Sequence, residues 1–173
     1  MNLIVTCARN LEGETEEEII DILDELGDPD VKISVSNMSG IITVQTKLDP
    51  IEVVRKMKEM LLDEPWSIRY CLRVIPIQKI VETNLEKIQE CISSISDKIE
   101  ENESYRILIE KRNSDISSKE IITNIANQIK NKVSLDFPDK IILIEILGIV
   151  TGISLIKKSD ILSLEKTKRS MSE

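Results

Sequence analysis

The sequence predicts an α+β chain of two small units in tandem, a β-α-β-β-α-β unit followed by a mixed-sheet α/β unit. Three observations carry that expectation. Apolar runs of period two alternate along the chain with runs of period 3.6. Helix-start and helix-stop residues stand at the seams between them. The length of 173 residues suits one compact domain or two small ones, and 31 isoleucines against one Phe, one Trp and two Tyr specify an aliphatic core.

The first strand is Asn2 to Ala8, short and β-branched. Thr15 with Glu18 three positions later has the form of a capping box, and Ile19, Ile20, Leu23 and Leu26 continue a helix that Gly27 stops before Pro29. Val31, Ile33 and Val35, the turn residues Asn37 to Gly40, and then Ile42 and Val44 read as a hairpin. Asp49 and Pro50 open a second helix whose stripe is Val53, Val54, Met57, Met60 and Leu61. A strand from Ile68 to Ile77 completes a ferredoxin-like order over residues 1–77.

Asn84 caps a third helix, in which Leu85, Ile88, Ile92, Ile95 and Ile99 recur at spacings of three and four. Tyr105 to Arg112 alternates as a strand, and Ser117 with Glu120 starts a helix through Ile121, Ile122, Ile125 and Ile129. Lys140 to Leu147 is an apolar strand, parallel to the previous one because a helical crossover separates them. Gly148 and Gly152 bracket a bend into a last strand, Ile153 to Lys158. Residues 78–162 thus form the second unit, and 163–173 read as a polar, frayed tail.

Composition removes whole classes of chemistry. With no histidine there is no Ser/His/Asp or Cys/His nucleophile system and no histidine metal site. Cys7, Cys71 and Cys91 are isolated, without a C-x-x-C, and read as reduced, buried thiols in a cytoplasmic setting. No apolar run approaches the roughly 20 residues of a membrane helix. None of the five glycines builds G-x-G-x-x-G, so no cofactor loop is written, and no cofactor or metal is expected.

The net charge of −8 argues against a polyanionic partner only until its distribution is counted. Residues 1–77 hold 8 Lys/Arg against 15 Asp/Glu, whereas residues 105–172 hold 12 against 8. The basic end is C-terminal. The acidic run Glu12 to Glu18 suits a helix start, and it is a surface for a basic protein rather than for RNA.

From about residue 78 to 160 the chain resembles a THUMP domain, the RNA-binding module of thiouridine synthases, RNA methylases and pseudouridine synthases. The features that carry this are the long helix, the strand ending in Lys111 and Arg112, the Ser-initiated helix, and KVSLDFPD (132–139), similar to K-V-D-L-x-x-P-D. Ser134 departs from that pattern. An N-terminal ferredoxin-like unit ahead of THUMP is also a family habit. The resemblance implies a non-catalytic, tRNA-binding protein, similar to the stand-alone THUMP adapters that present tRNA to a separate acetyltransferase for N4-acetylcytidine formation. DNA and membrane are not expected partners.

Lys111, Arg112, Asn113, Ser117, Lys119, Lys157 and Lys158 are the candidate RNA-binding residues. Lys111 and Arg112 end one strand and Lys157 and Lys158 another, so they converge if those ends share an edge. Asn113 and Ser117 precede a helix N-terminus that can receive phosphate. Tyr105 and Phe137 read as core or loop anchors. Two other functions compete: a protein-assembly subunit without RNA affinity, and a carboxylate enzyme using Asp136 or Asp139.

Overall fold

The structure, a computed structural model, describes residues 1–172. The chain divides into two compact units, Gln78–Lys158 and a first unit of Met1–Ile77 rejoined by the residues from Ser159 onward. In chain order the elements are β1 (Leu3–Thr6), α1 (Glu12–Leu26), β2 (Lys32–Val35), β3 (Ile41–Gln45), α2 (Pro50–Asp63) and β4 (Arg73–Pro76). The second unit follows with β5 (Lys79–Glu82), α3 (Leu85–Ser96), β6 (Tyr105–Arg112), α4 (Ser118–Gln128), β7 (Lys140–Leu147) and β8 (Val150–Ile156). The chain then returns to the first unit as β9 (Leu162–Ser163) and α5 (Leu164–Ser172).

The first sheet has the order β2-β3-β1-β4-β9, and every neighbouring pair is antiparallel. Its inward side chains, among them Leu3, Val5, Ile42, Val44 and Val74, close on Ile19, Ile22 and Leu23 of α1 and Val53, Val54, Met57 and Leu61 of α2. Asp49 caps α2 by accepting from the Ile51 amide, and Gly27 ends α1 at φ 115°, a left-handed conformation that glycine adopts without a Cβ penalty.

The capping box expected at Thr15 is not used. Helix α1 begins three residues earlier, at Glu12, and Thr15 is buried inside it with its hydroxyl donating to the Leu11 carbonyl at 2.6 Å. Glu18 instead accepts from the amides of Arg69, Tyr70 and Cys71 at 2.8 to 3.0 Å. That engagement holds residues 69–71 in a loop and shortens the strand expected over Ile68 to Ile77 to Arg73–Pro76.

The C-terminal residues are also ordered differently from a frayed tail. Leu162 and Ser163 pair with Val74 and Arg73, and α5 places Leu164 and Met171 against the first core, beside α2. Two apolar anchors seven residues apart are enough to seat a short helix whose other faces are polar. The second unit accordingly ends at Lys158, not at residue 162.

The second sheet has the order β5-β8-β7-β6, with β6 and β7 parallel through the α4 crossover and the other pairs antiparallel. Its core is eleven isoleucines and Tyr105, drawn from α3, α4 and the inner face of the sheet. Isoleucine is stiff at χ1 and fits a pleated surface, so an aliphatic core of this kind packs without aromatic fillers. Strand β5 has no counterpart among the sequence expectations; it is an edge strand, mostly exposed, and carries no alternating signal. The last hairpin turns at Gly148, at φ 62°, and Ile149, so β8 starts at Val150 and Gly152 lies within it opposite Glu145.

Candidate nucleic-acid interface

The register of the second sheet decides which basic residues meet. Arg106 pairs with Ile141 and Ile141 with Ile156, so the starts of β6 and β7 and the end of β8 lie in one row. Strands stand about 4.8 Å apart, which puts that row within roughly 10 Å. Arg106, Lys140 and Lys157 extend from it, Lys158 follows, and a bridge between Tyr105 and Val133 brings Lys132 to the same end. The far end of α4 returns here too, with Lys130.

Lys111 and Arg112 are at the opposite end. They pair with Ile146 and Leu147, beside the β7–β8 turn. Six residue steps of β7 separate the two ends, about 20 Å. The single converging patch expected from Lys111, Arg112, Lys157 and Lys158 is therefore two patches, because a β6–α4–β7 crossover makes β6 parallel to β7 while β8 runs back against it.

Cations are engaged at both ends, and the difference lies in the burial of what they engage. Arg112 donates to the Glu145 carboxylate at 2.9 Å, and Glu145 is wholly buried in the middle of β7, so Arg112 serves the fold. The Lys111 ammonium donates to the Ile116 carbonyl at 2.9 Å. Asn113 is exposed at φ 52°, in the turn that leaves β6. Ser117 is the N-cap of α4, its hydroxyl accepting from the Glu120 amide at 3.2 Å, and Lys119 is exposed in the first turn. Asp115 and Glu120 stand among them.

At the other end the segment joining α4 to β7 is pinned on both flanks. The Tyr105 amide donates to Lys132 O and the Ser134 amide to Tyr105 O, both at 3.0 Å. The Arg106 guanidinium donates to Leu135 O at 3.0 Å. Asp139 accepts from the Ser104 amide at 2.8 Å and from the Ser104 hydroxyl, which hold its carboxyl below the usual range, the amide having the larger effect. Lys140 pairs with Glu103 at 3.7 Å. Tyr105 is buried, as an anchor should be, but Phe137 is 88 % exposed, contrary to the expectation of an anchoring role.

Burial raises all three thiols, and Cys7 and Cys71 lie inside the first unit. Neutral, enclosed sulfurs are poor nucleophiles. Among the described residues no group of three or more Cys, Asp or Glu side chains is placed to hold a metal ion. No helix among them is long and apolar enough to cross a membrane. The first unit has an acidic groove of about 520 Å³ between α1 and α2, lined by Glu14, Glu17, Asp21, Glu25, Asp63 and Glu64.

Comparison with known proteins places the second unit. Residues 82–156 match the family model of the THUMP domain, so this unit is a THUMP domain, a module associated with tRNA binding and modification. No curated protein matches the sequence. Solved structures share the fold: PH1313 from Pyrococcus horikoshii, with a TM-score of 0.60 and 19 % identity over 91 % of this chain and 55 % of that one; and TrmN from Thermus thermophilus, with a TM-score of 0.60 and 13 % identity over 88 % and 44 %. A 4-thiouridine synthetase solved with RNA and bound ATP gives a TM-score of 0.53 and 11 % identity over 91 % and 42 %. The chain spans about half the length of the solved chains it matches.

Proposed function

We propose that this chain is a non-catalytic, cytoplasmic tRNA-binding protein that presents tRNA to a separate modification enzyme, an acetyltransferase forming N4-acetylcytidine. The observation that carries the RNA-binding part is the THUMP match over 82–156, coextensive with a unit that has its own sheet and core. The adapter part is supported by the resemblance to stand-alone THUMP proteins and by a residue set without histidine or a glycine-rich cofactor loop. The first unit's strand order, β2-β3-β1-β4, supports reading it as the ferredoxin-like companion of such a domain. RNA bound to the solved 4-thiouridine synthetase chain fits the same reading.

We place the RNA-binding surface at the end of the sheet that gathers Arg106, Lys130, Lys132, Lys140, Lys157 and Lys158. Structured RNA is held through phosphates and 2′-hydroxyls, which asks for several cations spaced over a surface rather than for one pocket. We assign Lys111, Asn113 and Lys119 a secondary contact, because the exposed carboxylates of Asp115 and Glu120 stand among them and fewer cations gather at that end.

Binding of the full chain to a folded tRNA and to an unrelated duplex of equal length, across a salt series, tests this. Wild type should prefer the tRNA, and Lys157→Glu/Lys158→Glu should weaken binding and lower the salt slope by about one for each phosphate no longer neutralised. Lys111→Glu/Lys119→Glu should have a smaller effect. Equal binding to both RNAs, or a larger loss from the second variant, overturns the recognition or its placement respectively. Addition of the chain to a purified tRNA acetyltransferase tests the adapter role, which requires acetylcytidine formation to rise with the chain present and not with the Lys157→Glu/Lys158→Glu variant.

A further inference from the structure

Phe137 is the one phenylalanine of the chain, and its ring stands 88 % exposed in the segment between α4 and β7. An exposed ring of this size forgoes the stabilisation that burial would bring. The segment does not leave it loose. Arg106 fixes the Leu135 carbonyl, the Ser134 hydroxyl accepts from the Phe137 amide at 3.2 Å, Pro138 restricts the backbone, and Ser104 clamps Asp139. Leu135, 65 % exposed, and Val133, 52 % exposed, precede it at alternate positions. Tyr105, the other aromatic of this unit, is buried, so Phe137 is the unit's only aromatic face toward solvent.

The charges around it are ordered in a way that selects a ligand. Arg106, Lys140 and Lys157 stand at the strand ends and Lys132 at the start of the segment, Lys140 being paired with Glu103 and Asp139 held by Ser104, while Asp136, next to the ring, is exposed and acidic. A phosphate is attracted to the strand ends and repelled at the tip, whereas the neutral face of a base is not. We propose that Phe137 is a stacking platform for an unpaired RNA base, whose flanking phosphates rest on the strand-end cations. This rests on the RNA-binding reading above and adds to it a preference for unpaired nucleotides. A protein partner gripping Val133, Leu135 and Phe137 would use the same apolar atoms, but it would not require the surrounding cations.

Three proteins and three RNAs separate the possibilities. The proteins are wild type, Phe137→Ala and Phe137→Trp; the RNAs are a hairpin with a two-nucleotide bulge, the same hairpin with abasic sites in the bulge, and the fully paired hairpin. Base–aromatic stacking of the usual strength makes Phe137→Ala bind the bulged hairpin about tenfold more weakly, with the salt slope unchanged and Phe137→Trp close to wild type. Wild type should lose the same factor on the abasic bulge, where Phe137→Ala loses nothing further, so that the two changes are not additive. Circular dichroism and melting should be unaltered, as suits so exposed a side chain. Equal binding of wild type and Phe137→Ala to the bulged hairpin overturns the stacking role and leaves RNA binding standing, with the ring then assigned to a protein partner. Wild-type binding to the folded tRNA but to none of the three hairpins overturns this proposal alone, and absence of binding to the tRNA as well overturns the RNA-binding reading with it.

Discussion

The two units satisfy their buried carboxylates differently. In the first, acidic side chains reach out to backbone amides of loops: Glu12 accepts from Gly40 at 2.7 Å, Glu18 from three successive amides, and Asp28 from Lys47 and Asp30. In the second unit the one buried carboxylate among the described residues is Glu145, and a guanidinium donates to it. Part of the first unit's negative charge is therefore structural and not an advertisement for a partner. Part of the second unit's positive charge is structural too, Arg112 at one end of the sheet and Arg106 at the other, and of the two only Arg112 is held by a buried carboxylate.

The largest expected effect follows from that buried pair. Removing one partner of a buried ion pair leaves an uncompensated charge and costs about 3 kcal/mol or more, even though replacing both partners with apolar groups is often neutral. Arg112→Ala should lower the melting temperature markedly and strip amide protection from β6, β7 and β8, whereas Arg112→Met/Glu145→Leu should recover most of the loss. A mild Arg112→Ala phenotype would show that Glu145 does not depend on Arg112. A weaker RNA affinity in any Arg112 variant speaks for a direct role in binding only if its stability is intact.

A smaller effect is expected at the corresponding device of the first unit. Glu18→Ala leaves the amides of Arg69, Tyr70 and Cys71 without their acceptor, and because this loop is partly exposed, water replaces most of the roughly 2 kcal/mol that a hydrogen bond to a charged group contributes at each. Destabilisation of about 2 kcal/mol by denaturant titration is the expected result, with faster hydrogen exchange confined to residues 69–71 and their neighbours. Glu18→Gln, which keeps one acceptor oxygen, should lie between the two. Equal stability of Glu18→Ala and wild type would reduce the triple hydrogen bond to an incidental one.

Features closed within a few residues were legible in the sequence, and features closed across the fold were not. Asn84, Asp49 and Ser117 cap the helices they were expected to cap because each side chain bonds an amide two or three positions onward. Thr15 and Glu18 have the same local spelling, yet Glu18 is claimed by amides more than fifty residues away. Lys111 and Arg112 were readable as a strand end, but neither the register that separates them from Lys157 and Lys158 nor the Glu145 that engages Arg112 is written nearby. The exposure of Phe137 escapes the sequence for the same reason: an aromatic beside a proline has no local mark of its surroundings, and only the tethers from Ser104 and Arg106 show that the loop is held with the ring outward.

The smallest effect concerns acid. Asp28 is buried, and its carboxyl is held below its ordinary value first by the Thr46 hydroxyl at 2.5 Å and then by the amides of Lys47 and Asp30, against the opposing effect of burial. A carboxylate whose folded pKa is depressed contributes stability that is present above its unfolded value, about 3.9, and is lost as the pH falls through the lower folded value. The first unit should therefore weaken progressively below about pH 4. Asp28→Asn, which cannot titrate, should be less stable than wild type at pH 7 and should show a shallower loss on acidification. Asp139 in the second unit is depressed in the same direction by Ser104, but it is exposed, so Asp139→Asn should alter the acid limb less than Asp28→Asn does. If the two substitutions flatten the acid limb equally, burial is not what distinguishes these two carboxylates, and the two units meet acid in the same way.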